Sequence, residues 1–459
     1  MTTSINNVNA ILRSDSYKTS HWLQYPPGTQ YIYSYLESRG GVFPETVFFG
    51  LQYYLKEYLS RQITMADVDY AEERITKHMG PGIFNRKGWE RVVTEHRGWL
   101  PIKIMAAPEG LVIPTRNVLL TIENTDPELP WITNYAETMI LQIWYTITVA
   151  TLSREIKKLI FRYLDETGDV AGLDFKLHDF GYRGVSSQES AAIGGVSHLV
   201  NFKGTDTMIA LEAAQIYYGE DMAGFSIPAA EHSTITAWGE LFEYEAYQNM
   251  IKQFGDGAMY AVVSDSYNIY EACENLWGTQ LKTQVLDAKG TLIIRPDSGT
   301  PHEVVRQITE ILGNKFGYTT NDKGYKVLNK VRVIQGDGIT YEEIGRILEA
   351  LKIRGWSADN VAFGMGGALL QQCNRDTQKF AIKASSITIN GKVKDVYKSP
   401  VTDNSKRSKK GQLKLIMTDG ILETVDIHQP GKNVLQPVWE NGWLLRDQTL
   451  SDIRALAAI

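Results

Sequence analysis

Seven short clusters between Leu177 and Leu370 carry residue types that can do chemistry: HDFGYRG (178–184), FKGTD (202–206), PAAEH (228–232), VSDSY (263–267), RPDSG (295–299), QGDG (335–338) and FGMGG (363–367). In RPDSG, Arg295 supplies planar charged donors and Asp297 accepts from hydroxyls, a pairing suited to a phosphorylated sugar or, more plainly, to a salt-bridged strand cap. Gly336, Asp337, Gly366 and Gly367 lie between strand and helix patterns, where glycine lets backbone amides approach an anion, yet neither run is a Walker loop or a GxGxxG fingerprint. His232, with Glu231 beside it, follows the strand-like FSIP and could act as acid, base, metal ligand or nucleophile, or be purely structural. Phe180 offers a ring for stacking, or is ordinary core, and Arg183 offers a cation, while FKGTD adds Lys203 and Asp206. A stacked ring plus a carboxylate acceptor would recognise a flat heterocycle bearing an amide. Asp265 suits Mg²⁺ or a sugar hydroxyl.

The elements that must position these residues read as strand, cluster, helix. Strands are expected at 175–180, 199–203, 223–227, 259–264, 291–295, 331–335, 359–363 and 380–384. Between them run helical patterns such as 340–352, where Ile344, Ile347, Leu348 and Leu351 share one face. Eight such strands are the number in a closed (β/α)₈ barrel, whose chemistry sits beyond the carboxyl ends of the strands; an open doubly wound sheet would read similarly. The flanks differ in texture. Segments 102–115 and 118–126 read as strands joined by a turn, 129–168 as one long helix, and 386–398 and 413–427 as hairpins turning at Asn390-Gly391 and Asp419-Gly420. The expected fold class is therefore α/β, with a barrel-like domain over 171–384 and a second mixed α/β domain built from 1–170 and 385–459.

A chain of 459 residues can bury two substantial cores, and its 43% hydrophobic and 22% charged composition is that of a folded globular protein. A net charge of −6 gives no general attraction to nucleic acid or anionic membrane, so an anionic small ligand needs a local basic patch. The basic run 406–411, KRSKKG, is a candidate for that patch or a solvated loop. Cys273 and Cys373, both in helical context, form neither a disulfide framework nor a zinc cluster. With no secretory signal pattern and no run of 18 apolar residues, cytoplasm is the expected location.

The strings HDFGYRGVSSQE (178–189), NFKGTDT (201–207), PAAEHSTI (228–235), SDSY (264–267), IIRPDSG (293–299), QGDG (335–338) and KRSKKG (406–411) resemble, in order, the signatures of the nicotinamide phosphoribosyltransferase family, and the likeness runs almost end to end. The resemblance implies an atypical α/β barrel joined to a domain assembled from both chain ends, in a homodimer with two shared active sites. It implies that Phe180 stacks on nicotinamide, with Tyr17 of the other subunit on the opposite face. Asp206 would accept from the carboxamide, and Arg295 would lie near that amide and the ribose. Arg183 would meet the phosphoribosyl region, Asp297 the ribose hydroxyls, and Gly336, Asp337, Gly366 and Gly367 the ribosyl 5′-phosphate. Arg39, Arg375, Lys383, Lys398 and Lys406 resemble the family's polyphosphate-binding positions. His232, assisted by Glu231 and Asp265, resembles its phosphorylated histidine, through which ATP hydrolysis is coupled to a Mg²⁺-dependent transfer. A nicotinate-specific relative and a non-enzymatic signalling or scaffolding protein of the same fold are the competing expectations.

Overall fold

The computed structural model of the chain describes residues 8–402 and 407–459. It divides into two units. One contains residues through Thr151 with Ile216–Gly219 and Cys373–Ala458; the other contains Leu152–Gln215 and Glu220–Gln372. The division thus falls earlier than 170 and 384 at both boundaries. Helix Trp144–Thr167 places its later turns in the second unit, and strand Phe380–Ile389 pairs with Thr29–Ser38 inside the first.

In the second unit, short β-branched and aliphatic runs ending in glycine or a charged cluster form six parallel strands. Their spatial order is Gly204–Thr205, Leu177–Asp179, Val361–Met365, Val331–Gln335, Thr291–Arg295 and Met259–Val263. Both edges of this sheet are bridged by one segment, Phe225 to Gly204 and Ala229 to Ala261, which closes it into a ring through isolated parallel bridges instead of a continuous ladder. Ala261, Ile293 and Ile334 cluster with Ile227, Ala362 and Phe180, drawing an inner layer from several of these strands and from the bridging segment. Helix Tyr341–Ile353 buries the apolar face expected of it, Ile344, Ile347, Leu348 and Leu351.

The expected eight strands are therefore six plus a bridging segment. Residues 199–203 are not a strand: Leu199 ends helix Gln188–Leu199, and pairing begins only at Gly204. A short apolar run that is buried, as Leu199, Val200 and Phe202 are, does not reveal its own secondary structure. Residues 380–384 are a strand, but of the other unit.

That unit is organised on a seven-stranded antiparallel sheet, ordered Lys392–Asp395, Phe380–Ile389, Thr29–Ser38, Val118–Asn124, Ile102–Ala106, Gln436–Glu440 and Trp443–Leu444. Asn390 and Gly391 have φ of 48° and 74°, and Asp419 and Gly420 of 50° and 79°, the left-handed pairs that a two-residue hairpin turn needs. The single helix expected over 129–168 is instead three: Ile132–Tyr135, Glu137–Leu141 and Trp144–Thr167. Competing side chains take the carbonyls of the early turns. Lys18 Nζ donates to Asn134 O (2.9 Å), Ser14 Oγ to Tyr135 O (2.8 Å) and Tyr54 Oη to Gln142 O (3.1 Å). Cys273 is helical and buried, whereas Cys373 lies outside any helix. No helix among the described residues is long and apolar enough to cross a membrane.

Candidate active site

Every cluster in the second unit follows the carboxyl end of a strand or of the bridging segment, so parallel pairing gathers them at one end of the ring. A cleft of about 770 Å³ opens there, lined by Phe180, Arg183, Asp206, Glu231 and Arg295 among others. Phe180 is partly buried against the inner layer. Arg183 is exposed on the turn Tyr182–Gly184. Asp206 follows strand Gly204–Thr205, and one of its carboxylate oxygens accepts the hydroxyl of Ser226, a residue of the bridging segment. Lys203, its neighbour in sequence, pairs with Asp174 at 3.1 Å.

His232 opens the short helix His232–Thr236. Its Nε2 is 3.0 Å from Asp265 Oδ1, and its Nδ1 is 3.9 Å from Asp297 Oδ2. The imidazole is 45% exposed while Asp265 is 4% exposed, so an accessible ring is held by a buried carboxylate. The other oxygen of Asp265 accepts the Asp297 backbone N–H (3.0 Å) and the Ser298 hydroxyl (2.6 Å), which fixes the turn after Arg295. Glu231 does not join this arrangement: its carboxylate accepts from Ser233. Arg295 approaches Asp297 at 3.7 Å and keeps a buried Nε that has no hydrogen-bond partner. Burial raises the Asp297 pKa; Arg295 and His232 oppose that rise while Asp265 and Asp337 add to it. Gly336 and Asp337 follow strand Val331–Gln335, whose last side chain donates to Asp337 O (2.9 Å). Gly366 caps the one-turn helix Gly367–Leu370.

The first unit holds the other positions. Tyr17 is 58% exposed on the 3₁₀ helix Ser16–Leu23. Lys383 is desolvated and surrounded by Arg39, Lys398 and Arg375, and burial followed by this crowding, only partly offset by Glu137, lowers its pKa. Ser408 ties the base of the basic loop, accepting the Lys398 backbone N–H through Oγ (2.8 Å) and donating its own to Lys398 O (3.0 Å). Lys406 lies outside the described residues. Among the described residues no group of three or more His, Cys, Asp or Glu side chains is arranged to hold a metal ion. A divalent cation therefore fits this site only if it arrives largely ligated by substrate oxygens and water, as Mg²⁺ commonly does, with a carboxylate such as Asp297 or Asp265 adding a contact.

Two residues here escaped the sequence reading. Ser226 fixes Asp206 from a distance of twenty positions along the chain. Asp179 is fully buried at the end of strand Leu177–Asp179; its Oδ1 accepts the Gly181 N–H (2.7 Å), its carbonyl accepts the Asp206 N–H (3.0 Å), and burial raises its pKa to about 6. Asp179 thus joins the backbones on which Phe180 and Asp206 stand. In the sequence Asp179 is one more polar residue of the HDFGYRG run, and its type alone does not set it apart.

The raised value has a pH consequence. A carboxyl of this kind contributes stability that is complete below its unfolded pKa and is lost as pH rises through about 6. Buried His198, held by Ser153 and Gly204 O, runs oppositely: desolvation lowers it from 6.5 to about 3, so its contribution is lost as pH falls between those values. Asp179→Asn is expected to lose stability faster than the parent between pH 7 and 5, by at most about 1.4 kcal/mol per pH unit. Denaturant midpoints across that range test this; parallel slopes would mean that Asp179 does not titrate there.

Comparison with known proteins identifies the family. The family description for nicotinate phosphoribosyltransferase matches residues 175–442, and that for the nicotinamide phosphoribosyltransferase N-terminal domain matches residues 9–104. A solved nicotinate-nucleotide pyrophosphorylase from Pyrococcus furiosus shares the fold with a TM-score of 0.63 at 15% identity, covering 99% of this chain and 96% of that one. Fold and strand-end clusters thus define a member of the nicotinate and nicotinamide phosphoribosyltransferase class. Within it, a nicotinamide phosphoribosyltransferase of Xanthomonas campestris pv. campestris (strain 8004) is 52% identical over 98% of each chain. Another, of Acinetobacter baylyi (strain ATCC 33305 / BD413 / ADP1), is 32% identical over 99% of this chain and 97% of its own. The chain belongs to the nicotinamide phosphoribosyltransferase family.

Proposed function

We propose that the chain transfers the phosphoribosyl group of phosphoribosyl pyrophosphate to nicotinamide, releasing nicotinamide mononucleotide and pyrophosphate, as a cytoplasmic homodimer in NAD biosynthesis. The observation that carries the reading is the placement of Phe180, Asp206 and Arg295 around one cleft, with Asp297 and His232 on adjoining strand ends. Phe180 stacks on the pyridine ring, opposite Tyr17 of a second subunit. Asp206, held by Ser226, accepts from the carboxamide NH₂. The pyridine nitrogen forms its bond to ribose C1 as the C1–O bond to pyrophosphate breaks, and the electron pair of that bond leaves with pyrophosphate. A ring nitrogen already has its lone pair, so the step needs orientation and not a base. Asp297 and Arg183 hold the ribosyl part, and Gly336, Asp337, Gly366 and Gly367 hold the 5′-phosphate. Arg39, Arg375, Lys383, Lys398 and Lys406 receive the polyphosphate charge. Mg²⁺, when bound, would neutralise pyrophosphate oxygens.

His232 belongs to a second, coupled step. With Nε2–H donating to Asp265, the lone pair lies on Nδ1, the tautomer required of a nucleophile. Nδ1 attacks the γ-phosphorus of ATP, the bond to the β-phosphate oxygen breaks, ADP departs, and later hydrolysis of the phosphoimidazole returns free histidine and phosphate. The test is a product assay with phosphoribosyl pyrophosphate and Mg²⁺, offering nicotinamide or nicotinate, with and without ATP. Mononucleotide should form from nicotinamide and rise with ATP. Faster turnover of nicotinate would replace this reading with the nicotinate-specific one, and no mononucleotide from either base would favour a non-enzymatic role.

A further inference from the structure

Gly364 sits in strand Val361–Met365, opposite His178, and is buried. Its backbone is not in the left-handed region, so an L side chain meets no dihedral objection there. The objection is steric and comes from one neighbour. A Cβ on Gly364 would stand 2.0 Å from Cε2, 2.1 Å from Cδ2 and 2.8 Å from Cζ of Phe180. The Phe180 ring therefore lies on the bare backbone of this strand.

The ring has nowhere to retreat. It already packs on the inner layer formed by Ala261, Ile293 and Ile334, with Ile227 and Ala362 alongside. Its own backbone N–H is tied to Met365 O at 3.0 Å. On a further side stands Gly336, whose Cβ would lie 3.4 Å from Phe180 Cε2. The remaining direction is the cleft that Phe180 lines. A methyl group at position 364 would push the ring into the space where a ligand ring must lie.

We infer that Gly364 is a positioning residue for the transfer reaction: by carrying no side chain it sets the depth of the Phe180 ring, and with it the width of the slot that admits a flat pyridine. The inference rests on the reading that Phe180 stacks on nicotinamide. It makes Gly364 specific for ring binding, unlike the glycines that follow it, which are assigned to phosphate.

Steady-state kinetics of the full chain, varying each substrate separately, test it. Gly364→Ala should raise KM for nicotinamide by roughly tenfold or more, the fold-change expected of overpacking against a ring whose open direction is the slot itself. KM for phosphoribosyl pyrophosphate and kcat at saturating nicotinamide should stay within about twofold of the parent, a split that general loss of fold would not produce. In a Phe180→Ala background the same change should move nicotinamide KM by less than about twofold, because the ring it displaces is gone. That double variant also answers the question if Gly364→Ala alone fails to fold. Multiplicative effects in the two backgrounds would overturn the inference, as would an unchanged nicotinamide KM in folded Gly364→Ala when Phe180→Ala raises it. An unchanged KM in Phe180→Ala itself would remove the stacking assignment and the inference together.

Discussion

Replacing His232 with alanine is expected to abolish stimulation by ATP while leaving slow, ATP-independent formation of mononucleotide. The imidazole is accessible and is the nucleophile in the proposed coupled step, and no second histidine contacts Asp265 among the described residues. Loss of the group should lower the ATP-supported rate by about 100-fold or more, the scale of removing a positioned catalytic side chain. Transfer itself needs only an oriented ring nitrogen and charge stabilisation for pyrophosphate, so the basal reaction survives. Asp265→Asn sharpens the test. It keeps the size of the side chain but removes the charge that fixes the imidazole tautomer, leaving an amide oxygen that can still accept from Nε2–H, so stimulation should fall yet not vanish. Release of ³²P from ATP measured beside mononucleotide separates the two steps. Stimulation that persists undiminished in His232→Ala would move the coupling to another residue.

Asp206→Asn should carry the second large effect, on the choice between amide and acid. A carboxylate accepts from the nicotinamide NH₂ and repels the carboxylate of nicotinate, whereas an asparagine can offer either a donor or an acceptor. The ratio of kcat/KM for nicotinamide over nicotinate should drop by roughly 10- to 100-fold, the range for gaining one matched hydrogen bond and losing one repulsion at a partly solvated site. Ser226 enters the same prediction because its hydroxyl donates to Asp206. Ser226→Ala should shift the ratio in the same direction by less, since the carboxylate loses its orientation and not its charge. Selectivity that is unchanged or increased in Asp206→Asn would sink the assignment of this residue.

The rhythm of apolar run, polar cluster and helix was legible because a parallel sheet with helices around it demands it, and the residues at the strand ends did fall at one end of one ring. The hairpins at Asn390-Gly391 and Asp419-Gly420 were legible for a local reason: two consecutive left-handed residues have few sequence solutions. Closure of the ring was not. Phe225 and Ala229 make single bridges on opposite edges, and a segment that pairs through isolated residues has no periodicity to detect. The break before Trp144 was hidden for another reason: Lys18, Ser14 and Tyr54, remote in sequence, supply the donors that interrupt it. At the site, the charged and aromatic residues announced themselves by type. Asp179 and Gly364 did not, since the first looks like part of a motif and the second like any strand glycine, and only the contacts with Gly181 and with the Phe180 ring distinguish them.

The strand order of the antiparallel sheet also dictates a sequence of events during synthesis. Its three middle strands, Thr29–Ser38, Val118–Asn124 and Ile102–Ala106, precede the whole of the parallel ring in the chain, yet both of their outer neighbours, Phe380–Ile389 and Gln436–Glu440, follow it. Until those neighbours are made the nascent sheet has two open edges, each a template for pairing with a foreign strand. The ring of parallel strands has no such wait, since all of its strands lie between Leu177 and Met365. The antiparallel unit is begun before the parallel ring and completed only after it, so the interval between its two halves is its most exposed stage.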